Sequence, residues 1–472
     1  MARGLGPIDL AAVAAGKVAG ACTRLLRRGG GTALPGLVAA QVSPQLLRRF
    51  TRQLRQGALV VTGTNGKTTT SRMLGAVLET AGWRIIHNRS GSNLIRGLVA
   101  TLVQASTWQG DLHADAGLFE VDEATIPAAL AQIRPRLVLI GNLFRDQLDR
   151  YGEVDTVHRQ WRAALAKLPA ETWVVLNADD PSVAVLARDT PARVVTYGID
   201  DPRQALSALP HAADAIRCPL CATPLLYSAV LLSHLGHYRC PQCGFARPAP
   251  DVAADAVTLH GTESLALAVR GPGGAFAVDV GVPGFYNAYN ALAATAAALA
   301  LDLPPATIQR GLSRFRAAFG RLERVTAGDK RLLLALVKNP VGFNEVLRML
   351  FPPGAPAEAP RHLLILINDL TADGRDVSWL WDVDFERLAG PGAVATVTTA
   401  GLRAPDMANR LKYAGVDPAR ITVEPALDRA LDGALAAVPA GGTLAVLPTY
   451  TAMLTFRELL HRRGWVGQFW EQ

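Results

Sequence analysis

The sequence predicts an α/β protein: a mostly parallel sheet, a small cysteine-bearing insertion, and a second α/β unit towards the C-terminus. Three observations predict it. "VVTGTNGKTTTSRML" (60–74) is an apolar strand running through a glycine turn into a helix. Apolar strand-like runs then alternate with helical segments, the pattern of a parallel sheet covered on both faces. Two Cys-x-x-Cys pairs stand in the one stretch where that alternation breaks. At 472 residues the chain is too long for a single ordinary core, so two or three domains are expected.

Residues 1–56 carry one acid, Asp9, against Arg3, Lys17, Arg24, Arg27, Arg28, Arg48, Arg49, Arg52 and Arg55. An Arg-rich, acid-poor start suits a transit peptide. "AAVAAGKVAGACTRLLRR" is long and alanine-rich with no clear cleavage site, so it reads instead as a basic helical entry to the first domain. Peripheral contact of this segment with a membrane surface stays open. A central unit follows over 57–325. "GALVVTG" (57–63) is its buried strand, and "TTTSRMLGAVLETAG" its helix, closing at Gly82. "AGLFEV" (116–121), "LVLIGN" (137–142) and "WVVLNA" (173–178) are further strands. The cysteine insertion occupies about 205–255, and the pattern resumes at "GFYNAYNALAATAAALALDL" (284–303). The third unit, 326–472, has strands "RLLLALV", "HLLILIN", "AVATVTTA" and "TLAVLP", with the Pro-rich "FPPGAPAEAPRH" (351–362) as a loop.

Half the residues are hydrophobic, yet no apolar run has the length and charge-free character of a transmembrane helix. The net charge of +8 fits an anionic partner or a coding bias for arginine equally well.

The glycine turn carries the chemistry. An ordinary phosphate loop is GxxxxGK[ST]; here Gly63 precedes Gly66-Lys67-Thr68 by only three positions. The physics survives the shortening, because successive backbone N–H groups and a helix N-terminus still cradle phosphate. Thr64, Asn65, Gly66, Lys67, Thr68 and Thr69 form the predicted nucleotide-phosphate cradle. Lys67 reaches the terminal phosphates, and the Thr68 hydroxyl holds Mg²⁺.

Cys218 and Cys221 in "CPLC" are separated by eighteen residues from Cys240 and Cys243 in "CPQC". Such knuckles place four thiolates around Zn²⁺, and four thiolates with no open position make the metal structural. His234 and His237 are read as packing residues of this ribbon. The fifth cysteine, Cys22, has no histidine near it and is not a nucleophile candidate.

TGTNGKTTT is the form this loop takes in the Mur ligases and folylpolyglutamate synthetases, three-domain ATP-dependent amide-forming enzymes. "GFYNAYNALAA" resembles their G-x-H-N-x-x-N-x-x-A-A, with Asn287 and Asn290 retained. "FGRLERV" (319–325) resembles F-x-G-R-x-E, with Arg321 as the phosphate-facing arginine. "EVDEA" (120–124) stands at the strand-end acid, which makes Glu120 the implied Mg²⁺ ligand and Glu123 a weaker alternative. Asn177, Asp179 and Asp180 are implied near the base or ribose.

The phrases "NLFRDQLDRYGE", "VLNADDP", "LVKNPVGFNEVL" and "NDLTADGRDVSWLWDVDFE", with the four-cysteine ribbon, resemble one branch: the MurT family, ligase-like subunits of lipid II isoglutaminyl synthase. The resemblance implies ATP-dependent amidation of the α-carboxylate of D-glutamate in the lipid II stem peptide, through an acyl phosphate. Its ammonia would come from a GatD-like glutaminase partner, in the cytoplasm at the inner face of the membrane. It also implies that an acid of the third unit supports the partner's histidine. Asp376 takes that place, with Asp373 and Asp382 as alternatives.

The departures set this chain apart from the amino-acid-adding Mur ligases. Asp146-Gln147 replaces an Asp-His pair, Leu165 stands where several members carry a carbamylated lysine, and Lys338 replaces the His of DDYAHNP. A stand-alone ligase of the Mur or folylpolyglutamate type would call for that lysine and no ribbon. A nucleic-acid-binding ATPase would call for basic and aromatic residues interleaved on the ribbon, which offers only Arg217, Arg239 and Arg247. No nucleic-acid partner is expected.

Overall fold

The computed structural model describes residues 5–25, 33–88, 92–145, 154–316, 321–352, 362–390 and 393–467. Three helices open it: α1 (Pro7–Leu25), α2 (Leu34–Val42) and α3 (Leu46–Thr51). The lone acid of this basic segment clamps them together. Asp9 is fully buried, accepts hydrogen bonds from Ser43 Oγ (2.7 Å) and Gly6 N–H (2.9 Å), and pairs with Arg49. Burial opposes its charge, but these partners win and hold its pKa below the usual carboxylate value. The helices then sit on the main sheet by way of α5 (Ile95–Ala105). A Cβ added at Gly36 of α2 would fall 1.7 Å from the Arg96 carbonyl oxygen, so only glycine permits this approach.

The main sheet has nine strands in the order β11-β10-β9-β6-β5-β4-β1-β3-β2. These are β1 (Ala58–Thr62), β2 (Ile85–His87), β3 (Ala116–Glu120), β4 (Pro135–Ile140), β5 (Trp173–Asn177), β6 (Arg193–Ile199), β9 (Val252–His260), β10 (Ser264–Gly271) and β11 (Gly274–Val280). From β2 to β9 neighbouring strands run parallel, whereas β10 and β11 add an antiparallel end.

Strand β1 is buried at every residue because it feeds two cores. Leu59 and Val61 pack with Met73, Leu74 and Val77 of α4 (Lys67–Thr80) and with the alanine-rich helix Phe285–Ala300. Ala58 and Val60 pack on the other face with α1, α3 and α5. A continuous apolar run, rather than an alternating one, is what such a doubly covered strand needs.

The cysteine segment leaves the sheet after β6 and returns at β9, and those two strands are direct neighbours, Tyr197 beside Val252. It is therefore an insertion that the sheet does not depend on for its continuity. It carries its own hairpin, β7 (Leu226–Leu232) and β8 (Leu235–Arg239).

The second sheet runs β12-β13-β17-β14-β15-β16. Its strands are β12 (Arg321–Ala327), β13 (Lys330–Ala335), β14 (His362–Leu366), β15 (Thr396–Ala400), β16 (Ile421–Val423) and β17 (Thr443–Pro448). All neighbours are parallel except β12 and β13. Arg321–Val325, assigned from the sequence to the end of the central unit, forms most of β12 and so pairs with the second sheet. Among the described residues no helix is long and apolar enough to cross a membrane.

Candidate functional site

Between the two sheets lies a cleft of about 820 Å³. Its floor is the loop from β1 into α4. Gly66 has φ +83°, and a Cβ there would fall 2.0 Å from Asn290 Oδ1, so the loop can seat against the helix Phe285–Ala300 only as glycine. Thr64, Asn65, Gly66, Lys67, Thr68 and Thr69 all line the cleft. The first N–H groups of α4 lack intrahelical partners and open onto it, which is the cradle a phosphate occupies.

Lys67 is folded back in this structure. Its Nζ donates to the carbonyls of Gly63 (2.6 Å) and Thr64 (3.1 Å) and pairs with Glu123 at 2.9 Å. Glu123 is only 5% exposed, and its carbonyl accepts from Trp161 Nε1 at 2.9 Å. Its position makes it the buried counter-ion of Lys67. Thr68 Oγ1 donates to Glu120 Oε1 at 3.0 Å. Asn88 grips the Glu120 backbone from both sides, donating to its carbonyl (2.8 Å) and accepting from its N–H (2.9 Å). A hydroxyl and a carboxylate beside a helix N-terminus and a lysine form a donor set suited to a nucleotide phosphate with a hard divalent cation.

Asn290 and Asn287 come to the loop from the helix Phe285–Ala300. Asn290 Oδ1 accepts from Thr70 Oγ1 (3.1 Å), and its Nδ2 donates to Asn287 Oδ1 (2.9 Å). Arg321 is described only through its backbone, and Asp146-Gln147 lie outside the described residues. Leu165, at the end of the helix Val154–Leu165, is buried in an apolar core and does not line the cleft.

Two residues that sequence reasoning missed hold the loop in place. Asn142, just beyond β4, accepts from Asn65 N–H (2.8 Å) and donates to the Asn65 carbonyl (3.0 Å). Asn339 caps the helix Pro340–Leu350, accepting from Gly342 N–H at 2.9 Å, and donates to Asn65 Oδ1 at 2.9 Å. That second bond ties the second sheet to the phosphate loop. An asparagine directly ahead of a proline-started helix was the available signal.

The acids sort differently from the sequence reading. Asp179 and Asp180 do not line the cleft; both are fully buried. Asp179 pairs with Arg247 (2.6 Å) and accepts from Tyr289 OH (2.7 Å), while Asp180 accepts from Leu143, Ser182 and Val183 N–H. They lock the ribbon and the β4 loop onto the sheet. Asp373 is buried and accepts from Thr451 N–H (2.8 Å) and Thr451 Oγ1. Asp382 pairs with Arg145 at 3.3 Å. Asp376 is exposed. The N–H of Ser378, donating at 2.8 Å, holds its carboxyl below the usual range, so it is ionised at neutral pH.

The four ribbon cysteines converge, with all four Sγ atoms within 4.8 Å of one another. Cys218–Cys243 and Cys221–Cys240 are each 3.5 Å apart, too far for a disulfide. A zinc ion with Zn–S near 2.3 Å sets its sulfurs about 3.8 Å apart, so the cluster fits one tetrahedral Zn²⁺. His237 Nε2 donates to the Ile199 carbonyl (2.9 Å), and the His234 ring packs at a tilt against Phe144; both lie outside the cluster. Protein purified without chelator is expected to carry about one zinc per chain, and Cys218→Ser to unfold several degrees lower. Elemental analysis finding no zinc rejects the assignment.

Comparison with known proteins places this geometry. Residues 61–216 match the model of the Mur ligase middle domain, and residues 336–453 match the MurT ligase C-terminal model. Over 448 residues the chain is 34% identical to the lipid II isoglutaminyl synthase (glutamine-hydrolyzing) subunit MurT of Streptococcus pneumoniae, covering 93% of this chain and 94% of that protein. Against the Staphylococcus aureus subunit of the same name the identity is 32% over 440 residues, with the same coverage. The fold is similar to a pseudomurein peptide ligase type C from Methanothermus fervidus (TM-score 0.65, 22% identity, 87% of this chain and 79% of that one). It is also similar to MurF ligase from Thermotoga maritima in complex with ADP (TM-score 0.63, 13% identity, 90% and 85%). The Mur-type cleft, the two matching models and 34% identity along 93% of the chain make it a member of the MurT family, an ATP-dependent ligase.

Proposed function

We propose that this chain is the ligase subunit of a glutamine-dependent amidotransferase. It converts the α-carboxylate of D-glutamate in the lipid II stem peptide to the amide, drawing ammonia from a GatD-like glutaminase. The carrying observation is a phosphate cradle, built on Thr64 to Thr69, that opens towards a second sheet whose acid Asp376 stands exposed, outside the cleft.

A carboxylate repels nucleophiles, so it must first become an acyl phosphate. The substrate carboxylate oxygen attacks the γ-phosphorus of ATP and ADP leaves; ammonia then attacks the carbonyl carbon and phosphate leaves. Lys67 swings from Glu123 to the transferring phosphoryl group, and the α4 N-terminus holds its oxygens. Thr68 and Glu120 would hold Mg²⁺, which supplies neutralising charge to the phosphates when bound. Asn287 and Asn290 fix the loop against the nucleotide, and Arg321 is assigned to the phosphate side. Zn²⁺ on the four cysteines is structural.

Asp376 is assigned to orient the partner's histidine. Leu370, Leu402 and Tyr450, at the C-terminal ends of β14, β15 and β17, are 49%, 60% and 46% exposed, an apolar rim suited to a protein partner. The enzyme would work in the cytoplasm at the inner face of the membrane. Exposed Ile8, Val18, Leu34 and Leu37 on α1 and α2, in a segment that also carries the basic Arg49 and Arg52, support contact with a lipid interface.

The test is to purify the chain with a GatD-like glutaminase and assay amidation of lipid II with glutamine and ATP. A stable complex with glutamine-dependent amide formation is expected. Ligation of a free amino acid by this chain alone would reject the reading in favour of a stand-alone ligase.

A further inference from the structure

A second, much smaller cavity of about 20 Å³ adjoins the main cleft, sharing Val341 and Glu345 with it. Its outer wall is Pro210, Asp384 and Arg387, towards the surface; its inner wall is Ser233, Asn344 and Glu345. That volume suits one molecule the size of water.

Two polar atoms in these walls have no hydrogen-bond partner: Asn344 Nδ2 and Glu345 Oε2. Their residues are 8% and 5% exposed. Asn344 Oδ1 accepts from Asp384 N–H at 2.8 Å, which orients the amide and leaves Nδ2 as the remaining donor. Arg348 Nη1 lies 3.9 Å from Glu345 Oε1, but that guanidinium is committed elsewhere. It donates to the carbonyls of Leu231 (2.7 Å) and Gln204 (2.9 Å) and covers the Phe285 ring. One buried donor and one buried acceptor thus belong to adjacent residues that line a water-sized space at the join between the surface and the cleft. Leaving both unsatisfied is costly, so the site is built for a small molecule that donates to a carboxylate and accepts from an amide.

We propose that Asn344 and Glu345 form a relay site for ammonia on its way to the acyl phosphate, and that Glu345 removes the extra proton from ammonium arriving there. This rests on the reading that ammonia is the nucleophile. Ammonia has N–H donors for Glu345 and one lone pair for Asn344 Nδ2; ammonium has no lone pair, so Asn344 favours the neutral form. The proton balance closes. Ammonium gives one proton to the carboxylate, leaving ammonia and a carboxylic acid. The ammonia lone pair forms the C–N bond, the C–O bond to phosphate breaks with its electron pair on phosphate, and the nitrogen's surplus proton leaves to phosphate or solvent. Glu345 then returns its proton to water in the cleft.

The surroundings suit that task. Burial pushes the Glu345 carboxyl up to about 7, against the opposing charges of Arg348 and Arg387. Asp384 lies on the surface side with His211 at 3.6 Å, and Lys338 and Arg375 line the cleft side. A base with that pKa is ionised in growing proportion as pH rises through neutrality and still holds a proton long enough to pass it on.

The experiment uses the ligase–glutaminase complex with ammonium chloride in place of glutamine. Glu345→Gln is expected to raise the KM for ammonium about tenfold or more while the KM for ATP holds. More phosphate should be released per amide formed, because water intercepts the acyl phosphate. The defect should shrink at alkaline pH, where solution itself supplies free ammonia, and Glu345→Asp should recover part of it. An unchanged ammonium KM overturns the relay and leaves a structural water in its place. So does a parallel rise in the KM for ATP, or a defect that is flat with pH. A wild-type complex that cannot amidate lipid II with ammonium overturns the proposed function and the relay together; a wild-type complex that can, beside an unaffected Glu345→Gln, overturns the relay alone.

Discussion

Lys67→Ala is expected to reduce ATP-dependent amidation by about a thousandfold or more, the scale on which phosphoryl-transfer enzymes depend on a positioned cation. The lysine is the first residue of α4, ahead of the helix interior, and its ammonium already lies within the cradle. In the resting structure Glu123 and the loop carbonyls neutralise it. A γ-phosphoryl group competes for the same ammonium, so the variant loses the transition-state contact and leaves Glu123 buried without its cation. A modest loss of stability should accompany the loss of activity, and Lys67→Ala/Glu123→Gln should recover the stability but not the rate. Asn290→Ala tests the other side of the loop. It removes the acceptor for Thr70 and the atom against which Gly66 packs. Its activity should also collapse, with ATP binding weakened. Thermal unfolding and isothermal titration with a non-hydrolysable ATP analogue separate the effects. Near-normal turnover in either variant removes this loop from the chemistry.

Asp376→Asn should cut glutamine-driven amidation by the complex by about a hundredfold to ten-thousandfold, the range spanned by losing the acid of a catalytic triad. An amide can still hold an imidazole ring, but it cannot balance the ring's positive charge and can select the wrong tautomer. Amidation from supplied ammonium should stay within about twofold of wild type, because Lys67, Thr68 and Glu120 are untouched. The neighbouring acids provide the contrast. Asp373→Asn disturbs two contacts to Thr451, at the start of the helix Tyr450–Arg462, and should lower the unfolding temperature. Asp382→Asn weakens an ion pair to Arg145 and should do little. Equal loss of both activities in Asp376→Asn would mean a substrate or structural role. Full glutamine-driven activity would end the assignment.

The parts of the site that the sequence determined are those whose chemistry is local. β1, the glycine turn and α4 are contiguous, and the conformation of Gly63 through Thr68 follows from its own residues: φ +137° at Gly63, φ +83° at Gly66, then a helix start. Each cysteine knuckle is likewise set by its two-residue spacing and by the turn that follows, at Ala222 (φ +59°) and Gly244 (φ +75°). Alternating runs were enough for parallel sheets, since a doubly covered strand must be apolar at successive positions.

What tertiary structure alone decided is which distant groups meet and which way an acid turns. Asn65 and Asn339 are 274 residues apart, and no local pattern brings the second sheet onto the phosphate loop. Glu123, read as an alternative metal ligand, became the counter-ion of Lys67 because β1 and β3 are neighbours in register. Asp179 and Asp180 carry the same charge as the exposed Asp376, and their sequence context suggested a nucleotide pocket. The ribbon packs over them, and Arg247, Tyr289 and a set of backbone N–H groups satisfy them internally. The setting of Glu345 was equally invisible: Arg348, three residues on along the same helix, stays 3.9 Å from its carboxylate and donates instead to the carbonyls of Leu231 and Gln204. Residue type and spacing specify what a side chain can bond to, whereas the long-range packing of sheet, ribbon and second sheet decides which of those partners it reaches and which it is denied.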